Sequence, residues 1–308
     1  MNSQSKLHPA LSVFFILLLA GLGFIVGGVV GYYCYLPFYN GTEAELNEAI
    51  QDIENHPDLK NVLFTAQVGA TIGGLVIAPL IFLRTQMLPV TDYFRHNRLP
   101  FFLFFLAGLT VVVSFGLNSM IMKFNQDVVF PDFLKDFENW ARVMEEKAAA
   151  QTEVLTSMNG LGELIITLVV IAILPAICEE FVFRGLIQNE LYRGTRNPHV
   201  AIWFAAMLFS AIHFQFFGFL PRMMLGALFG YLYYWSGNLW ISIFAHFANN
   251  AVQVIALYYY QQGSFEFDLE KPESVPASVG IMSALLTAGL LFYLYRDLRK
   301  YKNATQST

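Results

Sequence analysis

Charge is what this sequence has least of. Only 13% of its 308 residues are Asp, Glu, Lys or Arg, where an ordinary soluble domain carries about a quarter, and that shortage argues against a water-soluble globule. There is no basic excess either. The formal net charge is −5, which leaves no electrostatic case for a nucleic-acid surface. Cysteine is scarce: Cys34 and Cys178 both lie inside apolar runs, which excludes a disulfide framework. No internal repeat or inverted half points to a carrier. What is abundant is apolar matter, 56% of the chain, with 30 Phe and 15 Tyr. That is more than the interior of a protein this size can readily hide, and lipid removes the need to hide it.

Apolar runs long enough to cross hydrocarbon, about 20 residues each, fall near 10–38, 61–83, 99–122 and 161–178. Shorter runs follow near 199–214, 222–235, 239–260 and 278–296. The expected fold is therefore all-α, a polytopic membrane helical bundle of about eight spans. The first run is too long for a signal peptide and reads as a retained anchor. Scoring the loops for Lys and Arg favours both termini on the cytoplasmic side by ten residues to seven. Arg95 counts among the inner cations, and Arg222 and Lys271 among the outer ones. The outer loops also hold most of the acid, including Asp52, Glu54, Asp58 and the stretch 266–273. In the long 123–160 loop, Phe133, Phe137, Trp140 and Met144 recur at three- and four-residue spacing between charges. That is the pattern of an amphipathic helix lying on a surface, as a membrane brace or a cover over a site. Gly23, Gly27 and Gly31, with Gly69 and Gly73, and Gly226 with Gly230, repeat every four residues and mark close approaches of backbones.

Ionisable groups inside spans cost on the order of 3 kcal/mol each at a helix centre, so the places that keep them carry the information. There are three. Cys178-Glu179-Glu180-Phe181-Val182-Phe183-Arg184 continues the apolar run from Ile165, Phe209 to His213 closes another, and His246 to Asn250 lies inside a third. Glu180 and Arg184 are four apart and share a helix face as a compensated pair, whereas Glu179 is turned away by about 100° and stays available. Pro175 is expected to bend the span and to leave the carbonyl of Ile171 without its helical donor. His246 and Asn250 share a face. With Glu179 and His213 they supply one carboxylate, two imidazoles and an amide at membrane depth, a set suited to activating water and stabilising an oxyanion. Phe209 reads as core or pocket wall, and Cys178 as packing.

Glu179-Glu180-x-x-x-Arg184, Phe209-x-x-x-His213 and His246-x-x-x-Asn250, in that order and each in an apolar span, resemble the three motifs of the CAAX prenyl endopeptidase and bacteriocin-processing (CPBP) family of intramembrane proteases. The resemblance covers about residues 161–260. It implies peptide-bond hydrolysis within the membrane, with Glu179 and His213 activating a water, His246 and Asn250 holding the oxyanion, and Glu180 and Arg184 in support. It also implies a peptide or membrane-protein substrate, prenylated or not, amid membrane lipid, with no cofactor and no metal.

Residues 1–160 contain the first spans and the long outer loop and match no motif; 161–260 bear the motifs; 261–308 hold an outer loop, the last span and a polar tail. Three other readings use the same residues. A zinc protease could take Glu179, His213 and His246 as ligands, although no His-Glu-x-x-His run is present. A thiol enzyme could use Cys178, and a non-catalytic membrane scaffold could retain the motifs.

Overall fold

The computed structural model describes residues 5–51, 56, 59–94, 98–264 and 275–306. Arg95, Lys271, Asp52, Glu54, Asp58 and the acidic stretch 266–273 lie outside the described residues. All regular structure among the described residues is helical. In chain order the main helices are α1 (Pro9–Tyr35), α2 (Glu43–Gln51), α3 (Lys60–Gln86), α4 (Phe101–Gln126), α5 (Lys135–Thr156), α6 (Leu161–Thr195), α7 (Pro198–Ala211), α8 (Phe219–Ser236), α9 (Leu239–Gln261) and α10 (Ala277–Gln306).

Six of these, α1, α3, α4, α6, α9 and α10, are long and apolar enough to cross a membrane, and the chain is an integral membrane protein. Among the described residues the expected count of eight is not confirmed. Helix α7 has 14 residues, about 21 Å at 1.5 Å per residue against a hydrocarbon thickness near 30 Å. Helix α8 is long enough at 18 residues, but Pro221, Arg222 and three tyrosines dilute its apolar character. The two form a pair between α6 and α9. Helix α6, expected to stop near 178, continues to Thr195.

Prolines within spans are absorbed by widened turns. A π-helical segment, Gly73–Ile77, precedes Pro79 in α3, and another, Leu168–Ile173, precedes Pro175 in α6. A proline removes one N–H and crowds the carbonyl four residues back, and a π-turn relieves both without ending the helix. A third π segment, Phe181–Ile187, follows directly on the two glutamates.

The glycine repeats meet as expected. A Cβ on Gly27 would fall on the carbonyl oxygen of Gly69, and one on Gly69 on that of Gly27, with Gly23 and Gly73 facing each other in the same way. Helices α1 and α3 therefore touch backbone to backbone. In lipid, where apolar side chains gain nothing by leaving their solvent, such close packing supplies the attraction. Gly226 packs on Ala206 and Phe209, and Gly230 on Gln188 and Ile202, which sets α8 against α7 and α6.

Two short connections aim the site helices. Asn197 accepts hydrogen bonds from the N–H groups of His199 and Val200 and starts α7 with Pro198 at its first position. Gly237, at φ 65°, ends α8 in the left-handed conformation, and Asn238 caps α9 through the N–H of Trp240. Each asparagine cap is worth roughly 1 kcal/mol.

Helix α5 and the turn before it have a buried face and an exposed apolar one. Glu138, Ala141, Ala150 and Val154 face inward, while Phe133 and Trp140 remain 83% and 49% exposed. Glu138 accepts from Arg142 and Lys135, and these bonds hold its carboxyl below the usual range.

Candidate active site

A cavity of about 770 Å³ opens between α4, α5, α6, α8 and α9. Glu179, Phe209, His213, His246 and Asn250 all line it. The four candidate reacting groups and the aromatic wall thus come together from α6, the end of α7 and α9.

Helix α6 supplies the charge. Glu180 and Arg184 are fully buried, with Arg184 Nη1 donating to Glu180 Oε1 at 2.7 Å and Nη2 to the carbonyl of Gly226 at 2.8 Å. The guanidinium also lies 4.7 Å from the centre of the Phe209 ring and 5.4 Å from that of Phe229. The pair expected from the four-residue spacing is present. It reaches further than its own helix, because Glu180 Oε1 stands 2.9 Å from His246 Nδ1. A carboxylate facing Arg184 can only accept, so Nδ1 carries the proton, and His246 turns Nε2 toward Glu179, whose Oε2 is 3.9 Å away. Phe229 stacks on the His246 ring at 5.0 Å between centroids, and Phe209 meets it edge-on.

His213 lies just beyond the end of α7. Its Nδ1 sits 2.8 Å from the carbonyl oxygen of Phe209. A carbonyl cannot donate, so Nδ1 is protonated there and the Nε2 lone pair of the neutral ring is left over.

Asn250 closes the set. Its Nδ2 donates to the carbonyl of Ile171 at 3.0 Å, the group expected to lose its helical donor to Pro175. Asn249 Nδ2 donates to Asn250 Oδ1 at 2.9 Å. The amide is thereby fixed in orientation with one N–H uncommitted.

Several site residues were not singled out from sequence. Arg222, counted as an outer-loop cation, is instead in the first turn of α8 and on the cavity wall. Asn249, Gln253 and Phe229 also line it. Asn249 and Gln253 continue the helical face of His246 and Asn250 and could have been read from that period. Phe229 left no sequence signal among 30 Phe. Helix α5 adds Thr152 and Thr156, and its Glu145 accepts from the N–H of Phe217 at 3.1 Å. Burial pushes the Glu145 carboxyl up. Cys178 is buried in the apolar core with Val182 and Phe183 and is not part of the cavity lining. Among the described residues, no three His, Cys, Asp or Glu side chains converge closely enough to hold a metal ion.

A helical membrane protein with carboxylates, imidazoles and an amide gathered in one cavity is the class this fold and site define. Residues 161–252 match the family model described as type II CAAX prenyl endopeptidase Rce1-like, which bears out the resemblance of the three motifs to the CPBP family. The uncharacterized protein YpbD of Bacillus subtilis (strain 168) is 32% identical over 89 residues, a stretch covering 28% of this chain and 42% of that protein. The chain thus spans less than half the length of this curated relative. No solved structure matches.

Proposed function

We propose that this protein is an intramembrane endopeptidase of the CPBP glutamate type, which hydrolyses a peptide bond of a membrane-associated peptide or protein with water activated by Glu179 and His213. The observation that carries this reading is the convergence of Glu179, His213, His246 and Asn250 on one cavity within the segment that matches the endopeptidase family.

In this reading Glu179 takes a proton from a water held between its carboxylate and the Nε2 lone pair of His213, and the water oxygen attacks the scissile carbonyl carbon. His246, held by Glu180 through Nδ1–H, points its Nε2 side at the developing oxyanion, where an N–H would donate together with the uncommitted N–H of Asn250. Charge forming on that oxygen meets donors already oriented, His246 by Glu180 and Asn250 by Ile171 and Asn249. When the intermediate collapses the C–N bond breaks, and the proton held by Glu179 passes to the leaving nitrogen. Glu180 and Arg184 act through His246 and are positioning residues. The prenyl group in the family's description extends to this chain as one candidate feature of its substrate. In this reading both termini lie on the cytoplasmic side. Arg193 donating to the carbonyls of Ser5 and Leu7, and Lys302 to that of Tyr234, tie the chain ends to the α6 and α8 ends that share their side in this topology.

The test is cleavage of a membrane-peptide library, in prenylated and unprenylated forms, by the purified full chain and by Glu179→Ala, with and without a chelator. Cleavage by the parent that falls by roughly 10²-fold or more in Glu179→Ala, the range for loss of a general base, supports the reading. Equal cleavage by both proteins sinks it, and no cleavage by a folded parent favours a scaffold.

A further inference from the structure

The end of α7 is shaped by the histidine that follows it. In a continuing α-helix the N–H of residue 213 would donate to the carbonyl of residue 209. Here it donates to the carbonyl of Ser210 at 3.3 Å, and the freed Phe209 carbonyl is taken by the His213 ring at 2.8 Å. The imidazole thus caps its own helix, and its orientation depends on the chain leaving the helix at this point. The exit is made at Phe214, whose φ of 54° lies in the left-handed region that a bulky residue seldom adopts. Such a conformation persists only where the surroundings over-determine it. Those surroundings come from outside the three motifs. Asn125, near the end of α4, donates Nδ2 to the carbonyl of Phe216 at 2.9 Å. The Phe216 ring meets those of Phe130 and Phe137 at 5.2 Å and 5.4 Å between centroids. Phe217 is buried, Arg142 lies 4.4 Å from the centre of its ring, and its N–H donates to Glu145 Oε2 at 3.1 Å. All of these partners precede residue 161, where the match to the endopeptidase family begins.

Building on the endopeptidase reading, we propose that Glu145 is a positioning residue of the active site: by accepting the N–H of Phe217 it fixes the turn 214–218 and so keeps Nε2 of His213 aimed into the cavity. Phe217 is 3% exposed, so without Glu145 its N–H has no water to turn to. A buried donor stripped of its acceptor is costly, and the turn would shift to satisfy it. Release of the turn also releases Phe214 from its left-handed bend. The chain can then return to the ordinary helical bond from residue 213 to residue 209, which takes from the His213 ring the carbonyl that orients it. What the turn requires is an acceptor and not a charge. Burial pushes the Glu145 carboxyl up, and a neutral carboxyl offers the N–H of Phe217 the same kind of carbonyl oxygen as an amide does.

The test reads the His213 ring directly. Full-length protein in detergent, isotope-labelled at the histidine ring nitrogens, gives the tautomer of His213 by long-range proton–nitrogen NMR, with the signal assigned by its loss in His213→Ala. The parent is expected to show the neutral ring with its proton on Nδ1. Glu145→Ala should show a mixture of the two neutral tautomers, and Glu145→Gln, which keeps a carbonyl acceptor for Phe217, should return to the parent form. In peptide cleavage Glu145→Ala should lower kcat roughly ten- to a hundred-fold, the upper figure being the loss for a group misplaced by about 1 Å. KM should move far less, because the residue does not touch substrate. Glu145→Gln should stay within about three-fold of the parent, as should Glu146→Ala at the exposed neighbouring position. An unchanged His213 tautomer in Glu145→Ala overturns the proposal whatever the rate, and so does an unchanged kcat in an active enzyme. A Glu145→Gln protein as impaired as Glu145→Ala assigns the residue a role through charge and likewise overturns it. If Glu145→Ala does not fold, Glu145→Leu, which fills the space without an acceptor, takes its place. If neither folds while Glu145→Gln does, Glu145 serves the fold and the positioning role is refuted. The two readings fail separately. No cleavage by the folded parent removes the endopeptidase reading, while the tautomer comparison still decides the role of Glu145. Cleavage that falls in Glu179→Ala but not in Glu145→Ala does the reverse.

Discussion

Removing the Arg184 side-chain charge tests whether the network under His246 is held as the distances indicate. In Arg184→Met, Glu180 loses a 2.7 Å ion pair, Gly226 loses a 2.8 Å donor to its carbonyl, and Phe209 and Phe229 lose the cation on their faces. Glu180 is 0% exposed, so its carboxylate would be left with the Nδ1–H of His246 alone. Deleting one partner of a buried pair costs about 3–5 kcal/mol, since the remaining charge has neither water nor counter-ion. Glu180→Gln/Arg184→Met removes the stranded charge yet keeps a carbonyl acceptor for His246. The double variant should regain at least about 2 kcal/mol of the loss, a coupling of the size expected between residues in contact. It should remain inactive, because a neutral amide accepts the His246 Nδ1–H more weakly than a carboxylate does and holds the ring less firmly toward the oxyanion. Unfolding of the purified protein by sodium dodecyl sulfate titration in mixed micelles, followed by tryptophan fluorescence, measures the stabilities, and peptide cleavage the activities. An Arg184→Met protein within about 1 kcal/mol of the parent, or a double variant no more stable than the single one, would refute the reasoning.

Three further outcomes are expected. Gly27→Leu should separate α1 from α3, because its side chain would have to occupy the position of the Gly69 backbone; lower yield and a lower detergent melting temperature read this, and the exposed Gly21→Leu, with nothing within 4 Å of its Cβ, serves as the control. Protection of α5 from protease should depend on pH through Glu138, whose folded pKa is held down by Arg142 and Lys135. The bound proton favours the unfolded state, so the stabilisation is present above the ordinary carboxylate pKa and is lost as pH falls through the lower folded value, and Glu138→Gln should weaken that dependence. Cleavage should survive chelation and the protein should lack stoichiometric transition metal, since Asn250 beside His246 suits a pair of donors better than a ligand set; about one zinc per chain, lost with activity in His213→Ala, would restore the metalloprotease reading.

The helical membrane fold could be read from sequence because apolar composition and run length respond to one solvent, lipid, whatever the neighbours are. The glycine repeats, the Glu180–Arg184 pair and the Ile171 carbonyl facing Pro175 were legible for a related reason: each depends on spacing along a single helix. Tertiary structure decided what depends on separate helices meeting. It joined the Ile171 carbonyl to Asn250, across 79 positions of sequence, and brought His246 onto Glu180, so that a pair readable as an isolated ion bridge became the support of a histidine. It also turned Arg222 from a loop cation into part of the cavity wall. Periodicity records which residues share a face, but carries no record of which face of another helix will meet it. That is set by packing of the assembled bundle, where small residues admit close approach and buried polar groups must find partners.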